Sequence, residues 1–216
     1  MVLPTLLSAP TPTSGEIKSV CVFCGAGDGG DPIYAQEAFE LGKMLASNNI
    51  RMVYGGGSIG LMGAVAKGTI ENGGKTLGIV PEPLFKHGSA QLGETVIVPD
   101  MHTRKKRMAE ESDAFVVLPG GFGTMEEMLE MITWSQLNIH SKPILLLNTK
   151  GYYKLFVDWI QLSVQEQFIK TKNADIFVTC DTTKDVLNLL QTYQAPETRY
   201  GLDWTKKDEE NRQSLI

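Results

Sequence analysis

Two side chains in this sequence have the types and settings for chemistry: Arg104 and Glu127. Arg104 lies in the basic run Met101-His102-Thr103-Arg104-Lys105-Lys106-Arg107-Met108. At about 100° per residue, a helix through this run puts Met101, Met108, Ala109 and Ser112 on an inward stripe. Arg104 and Lys105 then flank the stripe on opposite sides, while Lys106 and Arg107 project away as a solvated face. A guanidinium beside an apolar stripe requires a carboxylate or phosphate partner, because an unpaired charge there is costly. Arginine is suited to bidentate contact with either. Glu127 closes the run Thr124-Met125-Glu126-Glu127 and has two readings. Thr124-x-x-Glu127 is a capping-box pattern, in which the glutamate only closes a helix start. Alternatively, a carboxylate one turn from an anion-binding loop could stabilise positive charge developing on a sugar and activate water, as in glycosidic hydrolysis.

The anion-binding loops are the second signal. Three apolar runs end in glycine: Gly25-Ala26-Gly27 followed by Asp28-Gly29-Gly30, Gly55-Gly56-Gly57-Ser58-Ile59-Gly60, and Pro119-Gly120-Gly121-Phe122-Gly123-Thr124. Glycine permits sharp turns and close approach of backbone amides to an anion. A following helix adds its positive N-terminal end. One such loop could be no more than a tight turn; three opening onto one sheet edge point to a phosphate cradle. Phe122 could stack on a base or simply sit exposed. Gly55-x-Gly57-x-x-Gly60 also fits the dinucleotide fingerprint, but it follows the second strand instead of the first, and only Glu82 is available as its acidic partner. Gly74-Lys75-Thr76 does not make a Walker A loop, since it lacks the upstream glycine and leads into a strand.

Positioning these groups falls to alternating elements. Short, mostly apolar runs at Ser19–Cys24, Arg51–Tyr54, Thr76–Val80, Thr95–Val98, Ala114–Leu118, Pro143–Leu147 and Ile176–Thr179 read as strands covered on both faces. Helical patterns cover Ile33–Ser47, Ser58–Glu71, Met101–Glu111, Thr124–Leu137, Tyr152–Gln167 and Thr183–Thr192. The alternation predicts an α/β fold: a doubly wound, mostly parallel sheet of about seven strands with helices on both faces. Ligands then bind beyond the carboxyl ends of the strands, where the strand order reverses. Residues 17–195 read as one catalytic domain, residues 1–16 as a disordered arm and residues 196–216 as a polar, mobile tail. The helix Thr124–Leu137, rich in Met, Leu, Ile and Trp, is a candidate dimer surface.

Composition narrows the partners. The 216 residues carry a net charge of −5, so no basic excess points to nucleic acid. No apolar run approaches a membrane span, and the arm lacks the basic start and long apolar core of a secretory signal. Cys21 and Cys24 form a C-x-x-C, but residues three apart on a strand point to opposite faces, so they read as core thiols in a reducing, cytoplasmic compartment. His87, His102 and His140 have no metal-ligand spacing, and no metal or redox cofactor is expected.

The run Pro119-Gly120-Gly121-Phe122-Gly123-Thr124-Met125-Glu126-Glu127 matches a PGGxGTxxE motif, and Asp100-Met101-His102-x-Arg104-Lys105 a second, MHxRK. Together with Cys21-Val22-Phe23-Cys24-Gly25, Val53-Tyr54-Gly55-Gly56-Gly57-Ser58, Gly60-Leu61-Met62-Gly63 and Ile132-Thr133-Trp134, they make residues 20–169 resemble the LOG family of cytokinin riboside 5′-monophosphate phosphoribohydrolases. Some members of that family were long labelled lysine decarboxylases. The resemblance implies a Rossmann-like homodimer that hydrolyses an N6-modified AMP to free base and ribose 5-phosphate, with Arg104 and Glu127 as the catalytic pair. It also implies substrate contacts at Arg104 and Lys105, at Gly121, Phe122, Gly123, Thr124, Met125, Glu126 and Glu127, and at Thr133; the glycine-loop reading adds Gly56, Gly57 and Ser58, with Gly120, as candidates to hold the 5′-phosphate. The segment from Glu82 to Thr95 departs from the family pattern, and a family glutamate that contacts substrate there has no clear counterpart. No lysine stands in a pyridoxal-phosphate context. Two rival readings remain, a nucleotide carrier without catalysis and an NAD-dependent oxidoreductase.

Overall fold

The computed structural model describes residues 16–86 and 91–204; most of the expected arm, His87 and the end of the expected tail lie outside the described residues. The elements run β1 (Ser19–Phe23), α1 (Pro32–Ser47), β2 (Arg51–Tyr54), α2 (Gly60–Glu71), β3 (Thr76–Pro81), α3 (Glu82–Lys86), β4 (Glu94–Val98), α4 (Met101–Glu110), β5 (Ala114–Val117), α5 (Phe122–Gln136), β6 (Ile144–Leu147), α6 (Lys154–Gln165), β7 (Val178–Cys180) and α7 (Thr183–Thr192). The sheet order is β4-β3-β2-β1-β5-β6-β7, and every pairing is parallel. The expected fold class is therefore observed, with the sheet wholly parallel.

Strand alternation sorts the core into two layers. Val20, Val22, Met52, Tyr54 and Val116 pack with Leu41 and Leu45 of α1, Leu61 and Val65 of α2, and Val186 and Leu190 of α7. Cys21, Phe23, Val53, Phe115 and Val117 pack with Met108 of α4, Met128 and Met131 of α5, and Ile160 of α6. Cys21 and Cys24 fall in different layers, as their spacing requires, and both are free and buried. The order reverses between β1 and β5, so the loops after those two strands face each other. Gly25 N–H donates to Pro119 O at 3.0 Å and joins them.

Several boundaries differ from the sequence reading. Helix α2 starts at Gly60 and α6 at Lys154. The last strand is shifted to Val178–Cys180, because Ile176 ends a 3-10 turn. Helix α3 has no counterpart among the expected elements. From Pro196 to Trp204 the chain does not run free: Tyr200 N–H and Trp204 Nε1 donate to Gln136 O and Leu137 O, at the end of α5. Arg199 Nη1 donates to Ser135 O and His140 O.

His140 illustrates a satisfied core histidine. Its Nδ1 accepts from Lys142 N–H at 3.1 Å, and its Nε2 lies 3.0 Å from Met131 O, which fixes the tautomer with the proton on Nε2. Burial, with Lys142 nearby, holds its pKa down at about 3 instead of 6.5. Unfolding frees the ring to bind a proton, so this contribution to stability is intact above the ordinary histidine value. It is lost progressively as pH falls from there towards 3. At about 1.4 kcal/mol per unit, lowering the pH to 5 is expected to cost the wild type about 2 kcal/mol that His140→Gln does not lose. Urea denaturation of both proteins at pH 7 and pH 5 measures the difference, and equal losses in the two would rule out this origin.

Candidate active site

The carboxyl ends of β1, β2, β3 and β5 enclose a cleft of about 430 Å³, lined by Gly25 and Ala26, Gly55–Gly57, Met62, Val80, Leu84, Arg104, Gly121, Gly123, Thr124 and Glu127. Arg104 reaches it from the first turn of α4. That helix starts firmly: Asp100 caps it by accepting from Thr103 N–H at 2.7 Å. Arg104 Nε donates to Ile79 O of β3 at 3.1 Å, and its Nη1 lies 3.1 Å from Glu127 Oε1. Their side chains are only 11% and 10% exposed. Arginine and glutamate therefore meet in one cleft, from elements on opposite sides of β1.

The electrostatics of Glu127 follow from that burial. Desolvation, above all, raises its carboxyl above the ordinary carboxylate value; the Arg104 charge opposes the rise and the Glu126 charge adds to it. A carboxylate so placed is poorly solvated and strongly attracted to any cation that forms beside it. Cys24 also lines the cleft. Burial, and then the charge of Glu127, push its thiol well up, so it stays protonated and is no nucleophile.

Helix α5 brings an uncapped N-terminus to the cleft. Its first residue is Phe122, its N-cap is Gly121, and no side chain caps it. Thr124 is thus inside the helix and no capping box forms; Glu127 points at Arg104 instead. The leading amides of a helix have no intrahelical partner and carry the positive end of its dipole. The α2 N-terminus behind the second glycine loop is different: Leu61 N–H and Met62 N–H already donate to Gly27 O and Gly25 O, at 3.3 and 3.4 Å. That loop gives the cleft its Gly55–Gly57 wall, without a free helix end.

The other expected contacts divide. Gly56, Gly57, Gly121, Gly123 and Thr124 line the cleft. Gly120 lies on an adjoining cleft, and Ser58 on a separate groove between α1 and α2. Phe122 stands 97% exposed at the rim. Lys105 is not a flanking residue: it is buried, bound to Glu126 and 3.0 Å from Glu130 of α5. Burial pulls its pKa down, but those two carboxylates outweigh it and raise the net value. Met101, expected on the inward stripe, is exposed. Met125 is half-buried and packs against the core. Thr133 is exposed, about 240° around α5 from Glu127, and does not line the cleft. Gly55 is a site residue that sequence reasoning misses: a Cβ built there would lie 2.3 Å from Arg104 Nη2. Among the described residues, no group of His, Cys, Asp and Glu is arranged to hold a metal.

The sequence profile of a family described as "Possible lysine decarboxylase" matches residues 62–190. Cytokinin riboside 5′-monophosphate phosphoribohydrolase LOG1 of Arabidopsis thaliana is 44% identical over 180 residues, 82% of this chain and 84% of that protein. The chain belongs to the LOG family. Another Arabidopsis thaliana member, LOG7, is 43% identical over 200 residues, 91% of this chain and 92% of the relative. In rice, Oryza sativa subsp. japonica, the probable phosphoribohydrolase LOGL1 is 45% identical over 181 residues, with 83% and 81% covered. Among solved structures, the Moco carrier protein of Chlamydomonas reinhardtii superposes with a TM-score of 0.62 over 82% of this chain and 96% of that one. At 20% identity it shares the fold alone. The LOG-family motifs thus map onto the two elements, α4 and α5, that bring Arg104 and Glu127 together.

Proposed function

We propose that this LOG-family protein hydrolyses the N-glycosidic bond of a nucleoside 5′-monophosphate, an N6-modified AMP, to free base and ribose 5-phosphate. The observation that carries this reading is the buried Arg104–Glu127 pair facing the uncapped N-terminus of α5. The 5′-phosphate sits on the amides of Gly121, Gly123 and Thr124, and the ribose lies against Gly56 and Gly57. As the bond from C1′ to the base nitrogen breaks, its electron pair leaves with the base, which takes up a proton from solvent. The ionised Glu127 stabilises the positive charge left on the sugar and receives a proton from the water that adds to C1′. Glu127 later returns that proton to solvent, so one water is consumed in all. Arg104 holds Glu127 in place and opposes the rise in its pKa. The names of the 43–45% identical relatives support the substrate class. Incubation with a panel of nucleoside monophosphates, followed by chromatography, is expected to show free base and ribose 5-phosphate; no base release from any of them would overturn the reading.

We also propose a cytoplasmic homodimer. Three buried free cysteines fit a reducing compartment, and among the described residues no helix is long and apolar enough to cross a membrane. The net charge of −5 favours a small anion in a local pocket over nucleic acid. Helix α5 turns Met128 and Met131 into its own core, so α6 is the better dimer surface. Leu155, Trp159 and Leu162 form a stripe at helical spacing, 81%, 52% and 51% exposed, with Phe168 beyond its end. Leu155→Glu with Trp159→Glu is expected to convert the dimer to a monomer by light scattering. A double variant that still sedimented as a dimer would move the interface elsewhere.

A further inference from the structure

A second cleft, of about 710 Å³, opens beside the first and meets it at Gly25, Ala26 and Gly121, which line both. Across it, Lys150 Nζ pairs with Asp31 Oδ2 at 2.6 Å. Tyr152, on the same wall, donates its hydroxyl to Gly120 O, so that carbonyl of the second cleft has a hydrogen-bond donor. The two clefts hold two cations among the described residues, Arg104 and Lys150. Arg104 is already matched by Glu127. Lys105 is sequestered by Glu126 and Glu130. A phosphate dianion on the amides at Gly121, which lines both clefts, would gain from a further positive charge, and Lys150 in the adjoining cleft is the cation held there only by an exposed carboxylate.

We infer that Lys150 leaves Asp31 to bind the 5′-phosphate and so selects monophosphates over nucleosides, an inference that rests on the hydrolase reading. The exchange is easy. Both partners are substantially exposed, and an exposed ion pair contributes little. Asp31 does not depend on Lys150 for its position: its Oδ1 accepts from Ile33 N–H and caps α1. A dianion offers the ammonium a stronger, charge-assisted partner than one solvated carboxylate.

The test uses two variants that break the same ion pair with opposite consequences. Lys150→Met removes the cation. Asp31→Asn keeps the α1 cap and releases the cation. Base release is measured from an N6-substituted AMP and from the matching nucleoside. With Lys150→Met, the kcat/KM preference for the monophosphate is expected to fall roughly tenfold, mainly through KM. With Asp31→Asn, KM for the monophosphate is expected to drop severalfold. Loss in both variants would mean that the pair merely ties two loops together, and an unchanged preference in Lys150→Met would equally overturn the inference. If the wild type released no base at all, the hydrolase reading would fall. Calorimetric binding of ribose 5-phosphate to wild type and Lys150→Met would then still decide the anion subsite, weaker binding by the variant supporting it and equal binding overturning it.

Discussion

Glu127→Gln is expected to lower base release on the order of a thousandfold while the fold stays intact. The substitution preserves shape and can still accept a hydrogen bond from Arg104, so what it removes is the negative charge. Loss of one such electrostatic or proton-transfer group costs a factor on the order of a hundred to ten thousand. The charge also dictates a pH dependence. Only the ionised carboxylate can stabilise a ribosyl cation, and burial raises the pKa of Glu127. Activity is therefore expected to rise with pH, along an acid limb above the ordinary glutamate value of 4.5. Arg104→Ala removes the charge that opposes this rise, so the limb should move to still higher pH while kcat falls. Profiles of kcat/KM for wild type and Arg104→Ala test the coupling. Matching acid limbs would separate the two residues, and near-normal turnover by Glu127→Gln would remove Glu127 from the chemistry.

The sequence made the sheet legible because strands covered on both faces must be apolar throughout, as Val20–Phe23 and Ala114–Leu118 are. It pointed to Arg104 as a charge beside an apolar stripe and to Glu127 as a carboxylate one turn from a glycine loop. It could not identify their companions. A helical wheel separates inward from outward but does not say what lies inward. Lys105 is buried because α5 brings Glu126 and Glu130 to it, a long-range fact. Periodicity places Met101 inward, yet at the first position of α4 it stands exposed. The capping-box pattern misleads for a related reason: Gly121 and Phe122 fold into the start of α5, moving Thr124 inside it. Helix α3 is five residues long and contains Pro83, too short to establish a period.

The glycine loops were legible as loops, but the role of Gly55 depends on a side chain that arrives from α4, and this gives the second large prediction. Gly55→Ala is expected to reduce kcat/KM about a hundredfold with little loss of stability. The alanine Cβ would fall 2.3 Å from Arg104 Nη2 and 3.3 Å from Met62 Sδ. Both neighbours are ends of flexible side chains, and the Gly55 backbone is not left-handed, so the protein can accommodate alanine by displacing the guanidinium. A misplacement of about 1 Å at a catalytic group costs on the order of a hundredfold. Gly60→Ala is the contrast. Its φ is +59° and its Cβ would lie 2.3 Å from the Ala26 carbonyl carbon, so that change should lower the melting temperature itself. The decisive measurement is Gly55→Ala in the Arg104→Ala background. If alanine at 55 acts by moving the guanidinium, the second substitution adds nothing once the guanidinium is gone. A full additional loss in the double variant would show that Gly55 serves the cleft some other way, through its own backbone.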